Sequence, residues 1–252
     1  MTQSNVSAPT RKLDFSRILE VLLHPQRTFS LIAEEAQASW LTPMLVLSVS
    51  AFLSILVSGY LTSRAAMMGE VQLPRDWQYW TPDMQSNYMQ AQQAMQGPVF
   101  SYIIPLITAL IGLWLWWLIL SGLLHLGSTL LGGRGSMQMA LNIVGWAALP
   151  FVVRDFLRII FMLLAGHSIT SPGLSGFAGS AVFISQILTR VDIFFIWNCI
   201  LLIIGFGISE NLSKNRVVVG VVSVVVLLLL IQSGLGSLLS SVSGLAVQRP
   251  FF

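Results

Sequence analysis

Charge is what this 252-residue chain has least of: only 9% of its residues are Asp, Glu, Lys or Arg, while 55% are hydrophobic. A soluble domain carries roughly 25% charged residues, because its surface faces water. So few charges exclude a water-covered globule and call for lipid as the covering solvent. Cysteine is scarcer still. Cys199 stands alone inside an apolar run, which excludes an intramolecular disulfide and reads as a small buried hydrophobe. The net charge is +3 and the pI about 9.4, but no basic run accompanies them, so a nucleic-acid partner is not expected.

What the chain does have is long apolar runs, with a mean hydropathy of +0.78. Crossing about 30 Å of hydrocarbon takes roughly 20 apolar residues. Five segments qualify: 40–62, 98–124, 139–165, 182–209 and 217–239. Open sheet edges cannot face lipid, so each is expected to be a helix and the fold an all-α membrane bundle. The first run begins near Trp40, too late for a cleaved signal sequence, and should stay in the membrane as an anchor.

Lys and Arg set the orientation. With the N-terminus inside, Arg11, Lys12, Arg17, Arg27, Arg134, Lys214 and Arg216 are cytoplasmic, against Arg64, Arg75 and Arg249 outside. This excess predicts a cell-membrane protein with its C-terminus outside. The chain then divides into a cytoplasmic segment 1–39, a membrane domain 40–239 with an external loop 63–97, and an external tail 240–252.

The N-terminal segment reads as two short amphipathic helices. Leu13, Phe15, Ile18, Leu19 and Leu22 share one face of the first. After His24-Pro25, Phe29, Ile32, Ala33 and Ala36 recur opposite Arg27, Glu34 and Glu35 in the second. Such helices suit the cytoplasmic leaflet, a partner, or the protein's own spans. In the external loop, Thr81-Pro82-Asp83 predicts a helix start, with Met84, Tyr88, Ala91 and Met95 on one face.

Three local patterns follow one another along the chain. His24-Pro25 leads to Thr28, Phe29, Ile32 and Trp40. Gly132-Gly133-Arg134-Gly135-Ser136 leads to Trp146 and Pro150. Asp192-Ile193-Phe194-Phe195-Ile196-Trp197 precedes a short polar turn and the last apolar run. In this order, over almost the whole length, they resemble the Yip (Ypt-interacting protein) family of five-span membrane proteins, with the short N-terminus of its bacterial branch. The resemblance implies a helical bundle with no enzymatic activity and no cofactor, acting as a scaffold or accessory subunit for other membrane proteins. Some bacterial members accompany ABC-type exporters, so subunits of such an exporter are partners expected by family analogy.

Charges inside the spans are the strongest candidates for chemistry. Arg154, Asp155 and Arg158 fall in the outer half of the third span, and Arg190 and Asp192 in the outer half of the fourth. At about 1.5 Å rise per residue, both groups lie roughly 10–17 Å below the outer boundary, so antiparallel neighbours would bring them level. An unpaired charge at the bilayer centre costs about 3 kcal/mol on insertion scales, which favours pairing. Three arginines against two aspartates still leave one positive charge over. One reading makes the cluster a clasp with snorkelling arginines. The other makes it a polar cavity for an anion, a lipid headgroup or protons, in a small channel, transporter or lipid-handling protein.

Other motifs carry less. The glycine-rich 132–136 segment lacks the Lys-Ser/Thr ending of a phosphate-binding loop and reads as a tight turn. Gly173-Leu174-Ser175-Gly176 spells the serine motif of rhomboid-type proteases, but no histidine follows Ser175 to act as its base. Met67, Met68, Met84, Met89 and Met95 suit Cu(I) by ligand type, yet no His or Cys joins them, and packing is the expected role. His125 is expected to hydrogen-bond at the interface, and no metal site is expected. Gly236, Ser240 and Gly244, four apart, allow close helix packing against this chain, a partner or a second copy, or else form a loose tail.

Overall fold

The structure is a computed structural model describing residues 13–34, 37–68, 73–74, 76–95, 97–169, 172–178, 182–210 and 212–248. Arg11, Lys12, Glu35, Ala36, Arg75 and Arg249 lie outside the described residues, as do the side chains of Ala66, Met95 and residues 240–248.

Among the described residues the chain is all helix, without a strand. Two short helices, α1 (Arg17–Leu23) and α2 (Pro25–Glu34), precede the long α3 (Leu41–Met67). Next come α4 (Pro82–Met95) and α5 (Ile104–Leu130), the latter entered through a wide π turn at Val99–Ile103. Then follow α6 (Met137–Ala147), α7 (Leu149–Ala165), α8 (Val182–Arg190), α9 (Ile193–Ser209) and α10 (Lys214–Gln248). Three stretches, Leu41–Ala65, Val99–Leu130 and Lys214–Leu239, are long and apolar enough to cross a bilayer unaided. The pair α8 and α9, bent by 61°, makes a fourth crossing if read as one broken span. The result is an all-α membrane bundle.

The two charged segments, read from sequence as continuous spans, are each broken. Segment 139–165 divides at Ala148, because Pro150 has no N–H to give the preceding turn. Phe151 donates to Ala148 at 3.0 Å instead, which frees the Ala147 carbonyl. Asn198, buried in α9, donates to that carbonyl at 2.7 Å. Segment 182–209 divides at Asp192, whose carboxylate caps α9 by accepting the Phe195 N–H at 2.8 Å.

The core gathers around α6 and α9. Trp146 is fully buried and donates to Ser39 Oγ at 3.0 Å, while Trp117 donates to the Leu141 carbonyl at 3.0 Å. Asn142, also fully buried, accepts from the backbones of Ser39 and Trp40 and donates to Gln37 O, pinning the lead-in of α3. Trp40 packs on Trp114 and Trp117.

The N-terminal helices pack on the protein itself. Val21, Phe29 and Ile32 are buried, and Phe29 lies against Gly205 of α9. On the other side of α1, Leu19 and Leu23 stand exposed, as does Phe15 just before the helix. Farther along, α4 starts behind Thr81, whose hydroxyl accepts from Met84 N at 3.4 Å. Its inner face differs from the expected one: Tyr88 meets Trp77 and Trp80 edge-on, whereas Ala91 is exposed.

Candidate functional site

At the end of α9 remote from the N-terminal helices, five helices enclose a cavity of about 300 Å³. Helix α7 supplies Phe151, Arg154 and Arg158; α8 supplies Thr189 and Arg190; α9 supplies Phe195 and Asn198. Helix α5 adds Trp116 and Leu120, and α10 adds Val225, Leu229 and Gln232. Pro172 reaches in from the 172–178 segment, which folds back onto α8 through a Leu174 N–H donated to the Leu188 carbonyl at 2.8 Å. There Gly173 turns with φ +63°, and a Cβ would lie 2.6 Å from the Leu188 oxygen, so only glycine fits.

The five charged residues do not form one cluster. Asp192 Oδ2 stands 3.8 Å from Arg154 Nη1 and 3.6 Å from Arg158 Nη2, which couples α7 to α9. Both separations exceed hydrogen-bond length, so these are loose ion pairs that leave guanidinium donors uncommitted. Asp155 takes Arg154 at 3.3 Å on one oxygen and the Ser50 hydroxyl of α3 at 3.2 Å on the other. Arg154 also lies over the Phe151 ring, 4.6 Å from its centre. Arg190 meets no carboxylate among the described residues. It donates to Gln232 Oε1 at 3.1 Å and to the Gln186 carbonyl at 2.8 Å, which joins α8 to α10.

Ion pairs across α7 and α9 thus adjoin an open volume. The α7 arginine side chains are 24% and 28% exposed, against 15% for Asp155 and 13% for Asp192, and the cations border the open volume while the carboxylates do not line it. Three guanidinium groups against two carboxylates leave a net positive wall. Sequence reading found the charges but missed Gln232, Asn198 and Ser50. Their signal was available, because a polar side chain in an otherwise apolar run is costly unless it has a partner.

Gly236 has a specific neighbour within the chain. A Cβ there would fall 2.9 Å from Gln186 Oε1, so the glycine leaves room for the glutamine that holds Arg190. Ser240 and Gly244 continue the same helix beyond the described side chains.

The 132–136 segment is a tight turn with its own anchor. Gly132 adopts φ +95°, Gly133 N donates to the Ser128 carbonyl at 2.8 Å, and Ser136 caps α6 by accepting from Met139 N. Glu210, only 2% exposed, accepts the Gly135 N–H at 2.7 Å, and its other oxygen has no hydrogen-bond partner among the described residues. Gly133 and Gly135 both press on that carboxylate, so neither accepts a Cβ without displacing it. His125 differs from expectation: its Nδ1 is buried without a hydrogen-bond partner among the described residues. The Ser175 hydroxyl donates to the Pro172 carbonyl at 2.7 Å. No group of three or more His, Cys, Asp or Glu is arranged for a metal among the described residues.

Residues of all three ordered patterns occupy packing positions. Phe29, Trp146 and Pro150 are buried, Trp197 packs against the core, and Asp192 caps α9. No curated protein and no solved structure matches the chain. The Yip1 domain model matches residues 19–235, from the first N-terminal helix into α10. With that match spanning most of its length, the chain belongs to the Yip1 domain family.

Proposed function

We propose that this membrane protein is a non-enzymatic binding protein that holds an anionic ligand between its helices, in the cavity faced by Arg154, Arg158 and Arg190. One observation carries the reading: three guanidinium groups border an open volume, while the two carboxylates that pair with the α7 arginines do not line it. A clasp alone has no need of that volume. Charged side chains at membrane depth characteristically line ligand or ion paths, and a desolvated arginine pair suits a phosphate- or carboxylate-bearing ligand.

The test is titration of the purified protein in neutral detergent with inorganic phosphate and pyrophosphate, following tryptophan emission, since Trp116 borders the cavity. Saturable quenching that Arg158→Gln abolishes supports the proposal. An unchanged signal in a folded protein overturns it.

A second reading, an accessory subunit for other membrane proteins such as those of an ABC-type exporter, draws on α1. Leu19 and Leu23 remain exposed there, as does Phe15 just before it, although Val21 is buried. Crosslinking from position 19 in native membranes, read by mass spectrometry, tests for a protein neighbour. In either case the proposed topology has five crossings, with α6–α7 and α8–α9 each serving as one broken span and the N-terminus in the cytoplasm.

A further inference from the structure

The cavity is graded along its length. On α7, Phe151, Arg154 and Arg158 follow one another away from the N-terminal helices. On antiparallel α5, Leu120 is deeper than Trp116, and on α10 the order from deep to shallow is Val225, Leu229, Gln232. At about 1.5 Å per residue, the seven-residue steps Phe151–Arg158 and Val225–Gln232 each span roughly 10 Å. Toward the shallow end stand the guanidinium groups of Arg158 and Arg190 and the amide of Gln232, beside Trp116, Thr189 and Pro172. Its deep end is aliphatic and aromatic, and the one amide there, Asn198, is committed to the Ala147 carbonyl.

We infer that the occupant is an anionic phospholipid, its phosphate on Arg158 and Arg190 and the upper part of an acyl chain along Leu229 and Val225. The inference rests on the anion-binding reading above. A free anion uses only the shallow end and leaves the apolar depth empty, whereas an amphiphile fills both. The polarity gradient also runs in the same sense as that of a bilayer leaflet, so a lipid enters without inverting. At about 30 Å³ per water-sized group, 300 Å³ takes roughly ten such groups. That accommodates a phosphate and the first methylenes, with the remaining chain lying in the surrounding bilayer.

Native mass spectrometry of the full chain, titrated separately with phosphatidylglycerol, phosphatidylcholine and inorganic phosphate, tests this. Expected is retention of phosphatidylglycerol at least about tenfold above phosphatidylcholine, lost in R158Q/R190Q. The variant Leu229→Trp, which fills the deep end and keeps every arginine, should lose phosphatidylglycerol but keep phosphate. Phosphate binding without lipid retention overturns the lipid inference and leaves the anion reading standing. Failure of both ligands in a folded protein overturns both. Equal lipid retention by wild type, R158Q/R190Q and Leu229→Trp marks ordinary annular lipid and overturns the inference.

Discussion

Asn198 on α9 donates its side-chain amide to the carbonyl of Ala147 at 2.7 Å, across 51 residues of sequence. That carbonyl lost its helical donor to the break before Pro150, so the bond repairs a defect that the proline creates. Replacing Asn198 by Ala leaves a buried carbonyl unpaired. It should cost about 1–3 kcal/mol, seen as a lower midpoint of thermal unfolding in detergent. An unchanged midpoint would mean that the break is satisfied in another way.

Gly205 lets α2 and α6 approach α9. A Cβ there would lie 2.5 Å from Ile143 Cγ2 and 3.4 Å from the Phe29 ring. Gly205→Ala should therefore destabilise the bundle by about 1–3 kcal/mol through overpacking. Adding Ile143→Ala removes the clashing methyl, and the double variant should be less sensitive to proteolysis near Arg27 than Gly205→Ala alone.

Glu210 separates charge from hydrogen bonding. Glu210→Gln keeps an acceptor for the Gly135 N–H and should fold about as stably as the wild type. Glu210→Ala orphans that N–H and should cost about 1–3 kcal/mol. Comparing the two variants by chemical denaturation decides whether the acceptor or the charge holds the 132–136 turn.

Acid should loosen α1. The Ser16 hydroxyl, 2.5 Å from the Asp14 carboxylate, is the main cause holding that carboxyl below its ordinary value of 3.8. Desolvation opposes the shift, and Arg17, at 2.9 Å, adds to it. A carboxyl depressed in the folded state contributes stability that is fully present above the unfolded value. That contribution is lost as pH falls through the folded value, so the window lies below pH 3.8. Hydrogen exchange of α1 should quicken there in the wild type, and Asp14→Asn should lack the step. Because Asp14 is only partly buried, the effect is local and small.

Topology is open to a direct check. In a Cys199→Ala background, an impermeant thiol reagent applied to intact cells should label Gln90→Cys on α4. It should label Arg134→Cys, in the exposed tip of the 132–136 turn, only after permeabilisation. The reverse pattern would invert the proposed orientation.

That this is an all-helical membrane protein follows from residue order alone. Apolar runs of about 20 residues have no other way to satisfy their backbone in lipid. Residue order also pointed to the 132–136 turn, the start of α4 and the charges at Arg154, Asp155, Arg158, Arg190 and Asp192, because glycine, proline and isolated charge have strong local consequences. Breaks in the charged segments were only half visible. Pro150 and Asp192 are plain to read, but whether a helix bends or divides at them depends on who satisfies the freed groups, and Asn198 lies 51 residues from its acceptor. Tertiary structure alone decided that Phe29 packs on Gly205, that Glu210 holds the glycine turn, and that Arg190 turns to Gln232 and not to Asp192. Each is a contact between distant elements, and composition along one helix is silent on which neighbour arrives. The few charges that first marked the chain as a membrane protein fall on both sides of this division: their cost in lipid is a property of the sequence, while the cavity they face belongs to the fold.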